Sequence, residues 1–149
     1  MIHLRHSATA EIPADRAFTY VDDHRTVPDW MFGVTRFQPV GKQVSGLGAL
    51  FDASMRLGPR SLDSRVQVVE WEYGRSIVLE SVAGIRSASS WTFAEISGGT
   101  SRLDVDFAYQ LPGGLAGRAL GKLIEPIVDT AIRETERALR VQLSRLPRS

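Results

Sequence analysis

The sequence predicts an α+β chain in which an antiparallel sheet is covered by a long C-terminal helix. Three observations carry that prediction. Residues from about 33 to 111 break into short strand-like runs at Gly46-Leu47-Gly48, Gly58-Pro59, Tyr73-Gly74, Gly84 and Gly98-Gly99. Regularly spaced runs with hairpin-length Gly-containing connections are the mark of consecutive antiparallel strands. Residues 12–34, IPADRAFTYVDDHRTVPDWMFGV, place two short helices between the first strand and the rest. From about Leu115 to Leu146 the pattern is helical.

Each element has a local reason. In residues 2–12, Leu4, His6, Ala8, Ala10 and Ile12 alternate with Arg5, Ser7, Thr9 and Glu11, the pattern of a half-buried strand. Pro13 suits the first turn of a helix, where its missing N–H would have no partner anyway. Ala17, Phe18 and Val21 then recur at helical spacing. Asp22-Asp23 breaks that helix, and Val27 to Met31 forms a second short turn anchored by Trp30. The predicted strands that follow are 34–40, 48–57, 62–72, 76–83, 86–96 and 101–111. Phe51, Ala53, Met55 and Leu57 share one face against Asp52, Ser54 and Arg56. Leu103, Val105, Phe107, Tyr109 and Leu111 likewise oppose Asp104, Asp106 and Gln110. One covered and one wet face is what an antiparallel sheet tolerates. The faces of Arg56, Arg65 and Glu80 stay open, because a one-residue slip of register reverses them.

In the C-terminal segment Leu120, Ile124, Ile127, Val128, Ala131, Ala138 and Leu139 form an apolar stripe opposite Arg133, Glu134, Glu136, Arg137 and Arg140. At ~1.5 Å per residue such a helix spans on the order of 45 Å, enough to cross a sheet. Pro126 predicts a kink or break near Lys122 to Glu125.

Composition excludes several functions. The 149 residues suit one domain, 1–149, with a sizeable core, and 43% hydrophobic with 23% charged residues is ordinary for a globular chain. A net charge of +1, with 18 basic and 17 acidic residues intermixed, gives no electrostatic footprint for nucleic acid. The absence of cysteine removes disulfides and thiol chemistry. No run approaches the ~20 apolar residues of a membrane span, and the N-terminus lacks a signal-peptide core. The expectation is a cytoplasmic monomer or homodimer without stable membrane insertion, without metal and without cofactor.

The order of strand, two short helices, six-stranded meander and long helix resembles the helix-grip fold of the START-like (SRPBCC) superfamily. That group contains polyketide cyclase/dehydrase and lipid-transport proteins and relatives of the birch pollen allergen. The similar stretches are Ala10-Glu11-Ile12-Pro13-Ala14-Asp15-Arg16-Ala17-Phe18, Asp23 through Pro28-Asp29-Trp30-Met31, Gly46-Leu47-Gly48-Ala49-Leu50-Phe51, and Trp91-Thr92-Phe93 followed by Gly99-Thr100. The resemblance implies a curved seven-stranded antiparallel sheet wrapped around the C-terminal helix, with a cavity between them for a small hydrophobic, lipid-like or polyketide-like molecule. It implies a lining drawn from Trp30, Phe51, Met55, Trp91, Phe93, Phe107, Tyr109, Ile124 and Val128. Small residues at the inward candidates Ala8, Ala10, Ala53, Ser81, Ala83, Ser87 and Ser89 fit such a hollow, although the same aromatic residues would also pack a solid core.

Candidate chemistry is sparse. His6, on the inward face of the first strand, and Tyr109 are the two catalytic candidates, as groups that could polarise a carbonyl or move a proton. His3 and His24 read as solvated, and Asp104 with Asp106 as part of a wet outer face. The cyclising members of the family place Arg, Tyr and hydroxyl groups in the pocket, and this chain has no clear match to that set. Three functions therefore stand side by side: a binding protein for an apolar ligand, a cyclase/aromatase-like enzyme, and a ligand-free interaction or regulatory (toxin–antitoxin-like) module. An exposed patch around Trp30, Met31 and Phe32 would mark the last.

Overall fold

The computed structural model describes residues 2–31, 34–57, 60–110, 133–134 and 137–146, leaving aside the side chains of residues 2–4, 6, 57, 60 and 109. In chain order these form β1 (Ile2–Ala10), α1 (Ala14–Asp22), a 3-10 turn (His24–Thr26), α2 (Val27–Trp30), β2 (Val34–Pro39), β3 (Leu50–Leu57), β4 (Arg60–Glu72), β5 (Ser76–Gly84), β6 (Arg86–Ser97) and β7 (Thr100–Gln110). Residues 137–144 are helical. The elements agree with those expected from the sequence to within two residues at each boundary described.

The strands form one seven-stranded antiparallel sheet in the order β1-β7-β6-β5-β4-β3-β2. β1 and β2 are therefore opposite edges, and the segment between them must carry the chain across the sheet. That requirement explains the helical insert. Its buried face is Ala14, Ala17, Phe18 and Val21, at the spacing of one helical stripe. The Phe18 ring meets Trp71, Tyr73 and Phe93 edge-on, with centroids 5.5, 5.4 and 5.4 Å away. Trp30 is buried edge-on to Trp91 at 5.0 Å, and its indole N–H donates to the Thr26 hydroxyl at 3.0 Å. Leu139 and Leu143, one helical turn apart, are buried in the same cluster. The C-terminal helix thus reaches the core beside α1, giving the helix-grip arrangement. The expected kink at Pro126 and the stripe from Leu120 to Ala131 lie outside the described residues.

Four register shifts bend the sheet. The unpaired extra residues are Thr35 in β2, Val82 in β5, Val69 in β4 and Ile96 in β6. A bulge leaves one residue without a partner and increases the local bend and twist. It also accounts for three exposed large apolar side chains, Val69, Val82 and Ile96. The bulge at Val82 corrects one expectation: Ala83 pairs with Arg65 and is exposed, so it sits on the outer face and not in the interior.

The outer face pairs its polar groups mostly across neighbouring strands, with Arg102 and Asp104 paired along β7. Arg5 bonds Asp106 at 2.9 Å, Arg65 bonds Asp52 at 2.9 and 3.2 Å, and Ser54 bonds Asp63 at 2.7 Å. Ser7 and Arg102 both bond Asp104. The Arg65 guanidinium holds the Asp52 carboxyl below its ordinary range. Exposed pairs of this kind add little stability each, but they occur only when the register is right. They settle the open faces: Arg56, Arg65 and Glu80 are all exposed on the outer side.

Gly84 ends β5 with φ +81°, and a Cβ there would collide with the Asp63 carbonyl oxygen and stand 2.9 Å from Ser64 Cα. Gly74 has a similar φ of +77° but nothing within 4 Å. Replacing Gly74 by Ala is expected to cost about 1 kcal/mol, the penalty of the left-handed region alone. Gly84→Ala is expected to cost at least about 2 kcal/mol, because β4 must also move. Urea denaturation of the two variants checks the order; equal losses would mean the Gly84 contact relaxes freely.

Candidate ligand-binding site

Where α1 ends, the concave side of the sheet stops being solid. A cavity of about 100 Å³ lies over β2 to β7. Met55, Leu62, Val66 and Phe107 supply apolar walls, and Ala53, Ser64, Ser87 and Ser89 supply short ones. Register explains the opening. Ala53 lies directly opposite Ser64, so two small side chains meet where two large ones would fill the space. Ser81 and Ser87 are tied together, the Ser81 hydroxyl accepting the Ser87 backbone N–H at 2.8 Å.

A second cavity, of about 40 Å³, adjoins the first: Met31, Phe37 and Leu79 line both. Its walls include Trp30, Phe51 and Trp91, and Phe51 stacks on Phe37 with centroids 4.7 Å apart. Its far end is polar, formed by Asp22, His24 and Ser45. The Asp22 carboxylate accepts the Ser45 hydroxyl at 2.6 Å and the Trp71 indole N–H at 3.0 Å. It thereby ties the end of α1 to β4 and to the β2–β3 connection. His24 opens the 3-10 turn, and its ring lies 6.0 Å from that of Phe51.

Asp23 sets the turn that presents His24. Its side chain accepts the Arg25 backbone N–H at 3.0 Å and two N–H groups of the Arg25 guanidinium, at 3.0 and 2.9 Å. The guanidinium bonds hold the Asp23 carboxyl below its usual range, with smaller contributions from the backbone bond and from the charge of Arg25.

The expected lining residues fall into separate places. Met55 and Phe107 face the first cavity, and Trp30, Phe51 and Trp91 the second. Phe93 stands in the solid half against Phe18 and lines neither. Ile124 and Val128, and the side chains of Tyr109 and His6, lie outside the described residues. His24, expected to be solvated, is partly exposed, rests against Phe51 and also borders the second cavity. Of the patch that would have marked an interaction module, Trp30 is buried and Phe32 lies outside the described residues. Sequence reasoning missed Phe37, Leu79 and the Asp22–Ser45–Trp71 tie. Alternation could have flagged Leu79 beside Ile77; Phe37 was hidden by the bulge at Thr35.

The comparisons with known proteins agree with this architecture. The sequence matches the family described as "Polyketide cyclase / dehydrase and lipid transport" over residues 1–143. The chain belongs to that family. No curated protein matches the sequence. Among solved structures, TTHA0849 from Thermus thermophilus is similar with a TM-score of 0.81, at 16% identity over 95% of this chain and 97% of that one. A START superfamily protein from Mycobacterium smegmatis gives 0.77, at 12% identity over 97% and 99% of the two chains. The Zhui aromatase/cyclase from Streptomyces sp. R1128 gives 0.75, at 15% identity over 97% and 94%. At such identities these likenesses establish the fold, which this polyketide cyclase/dehydrase family member shares with the START superfamily.

Because the folded Asp23 carboxyl titrates below its unfolded value, its stabilising contribution is complete above the ordinary carboxylate range and is lost as pH falls through the depressed folded value. Asp23→Ala is expected to lower stability by about 1 kcal/mol at pH 7 through loss of the backbone cap. The difference from the native chain should shrink below about pH 4. Urea midpoints of both chains at pH 7 and pH 3 check this; a pH-independent difference would show that the carboxylate charge plays no part.

Proposed function

We propose that this chain binds a small, largely apolar molecule, lipid-like or polyketide-like, in the two adjoining cavities. The observation that carries the reading is the shared lining of Met31, Phe37 and Leu79, which makes the two spaces immediate neighbours. Apolar concavities with a few convergent polar groups are the usual form of a small-molecule site. The family's description, which includes lipid transport and polyketide cyclisation, supports the same class of guest. Among the described residues no helix is long and apolar enough to cross a membrane.

A second reading, a cyclase/aromatase-like catalyst, is favoured by one observation. Asp22, His24 and Ser45 converge on the same cavity, and proton transfer to or from an enolisable substrate needs such groups within reach. The two readings share the guest and differ in whether it is turned over.

Native mass spectrometry and calorimetry against fatty acids and polycyclic aromatic compounds test the binding. A one-to-one complex is expected. Filling the first cavity with Ala53→Leu and Ser89→Leu should weaken that complex at least about tenfold, while overpacking costs about 1–3 kcal/mol of stability. Unchanged affinity in the folded double variant would place the guest elsewhere. Product formation from a poly-β-ketone analogue would decide for the catalyst.

A further inference from the structure

The second cavity is lined unevenly. It shares Met31, Phe37 and Leu79 with the apolar first cavity, and its lining also includes His24, Asp22 and Ser45. These three polar groups are not equivalent. The Asp22 carboxylate is engaged on both oxygens, by the Ser45 hydroxyl at 2.6 Å and the Trp71 indole at 3.0 Å, and the Ser45 hydroxyl proton is used in the first of these bonds. His24 differs: its ring rests against Phe51, and neither ring nitrogen has a hydrogen-bond partner among the described residues. A neutral imidazole offers one donor and one acceptor, and on this half-buried ring both are left available to a guest in the cavity.

We infer that His24 is the recognition residue for a neutral hydroxyl group at one end of an otherwise apolar ligand. This rests on the reading of the two cavities as one ligand site and deepens it. A hydroxyl can both donate to and accept from the imidazole. A ligand carboxylate is disfavoured, because the Asp22 carboxylate borders the same small space and like charges repel there. Size points the same way. The second cavity, about 40 Å³, is smaller than the first, about 100 Å³, so a guest with its hydroxyl at His24 would place most of its skeleton in the larger space. Asp22 acts as a positioning residue, fixing the end of α1 two residues before His24.

Calorimetry with three probes that share a two-ring skeleton tests the assignment: 2-naphthol, 2-methylnaphthalene and 2-naphthoate. The native chain is expected to bind 2-naphthol at least about tenfold more tightly than 2-methylnaphthalene, with 2-naphthoate weaker than 2-naphthol. His24→Leu should bring the naphthol and methylnaphthalene affinities within about threefold of each other. His24→Gln, which keeps a donor and an acceptor, should retain part of the preference. Thermal melting of each variant confirms that folded chains are compared. Equal affinities for naphthol and methylnaphthalene in the native chain, or a preference that survives His24→Leu, would overturn the role of His24 and leave the cavity reading intact. Tighter binding of 2-naphthoate would overturn the neutral-hydroxyl class. Binding of none of the three would overturn both readings.

Discussion

The placement of Phe18 governs the rest of this molecule. β1 and β2 lie at opposite edges of the sheet, so the chain must pass across the concave face between them, and α1 is the part of that passage with a buried stripe. Phe18 fixes it there by meeting Trp71 of β4, Phe93 of β6 and Tyr73 of the β4–β5 turn edge-on. Edge-to-face pairs each contribute about 0.5–1.5 kcal/mol beyond area burial, and three on one ring give the helix a single seat. Ile12, Val27, Trp30, Leu139 and Leu143 complete the same cluster. One half of the concave face is thereby filled, and past the end of α1 the described walls come mainly from strand side chains and Met31.

Those side chains do not fill it. Ala53 opposite Ser64, with Ser87 and Ser89 on β6, leaves a hollow that longer residues at the same positions would close. The serines keep this region compatible with water, since hydroxyls tolerate it where Leu or Val would not, and the neighbouring Ser81 hydroxyl accepts the Ser87 backbone N–H. The bulges contribute to the same end by bending β4 and β5 away from a flat sheet.

Much of this was legible in the sequence, and the limits have a physical origin. Strand boundaries followed from Gly-containing turns, and the insert followed from Pro13, the Ala17–Phe18–Val21 stripe and the Asp22-Asp23 break. Faces were legible wherever alternation ran unbroken, as in β1, β3 and β7. They failed at bulges. An extra residue such as Val82 or Thr35 has no distinctive composition, yet every side chain beyond it changes face, which is why Ala83 was placed inward and Phe37 was not noticed. The role of His24 was not legible for a different reason: its position depends on how the turn capped by Asp23 meets Phe51, a long-range contact without a local signature. Conversely, Arg65 and Glu80 became unambiguous only when their cross-strand partners were known.

The polar end of the inner space follows from the same constraint that makes the space. A helix that stops inside a curved sheet brings its terminus with it, and a terminus carries backbone groups that the helix cannot satisfy itself. The Tyr20 carbonyl is answered by the Thr26 hydroxyl and the Asp23 backbone N–H, while the Asp23 side chain caps the turn that follows. Asp22 is then held by Ser45 and Trp71, and the next turn exposes His24 to the cavity. A chain of this topology therefore cannot offer a uniformly apolar interior. Seating α1 as a wedge produces a hollow beyond it, and ending α1 there places hydrogen-bonding groups at the boundary between the filled and the hollow half. The proposed amphipathic guest, with one polar end, would be the complement of that shape.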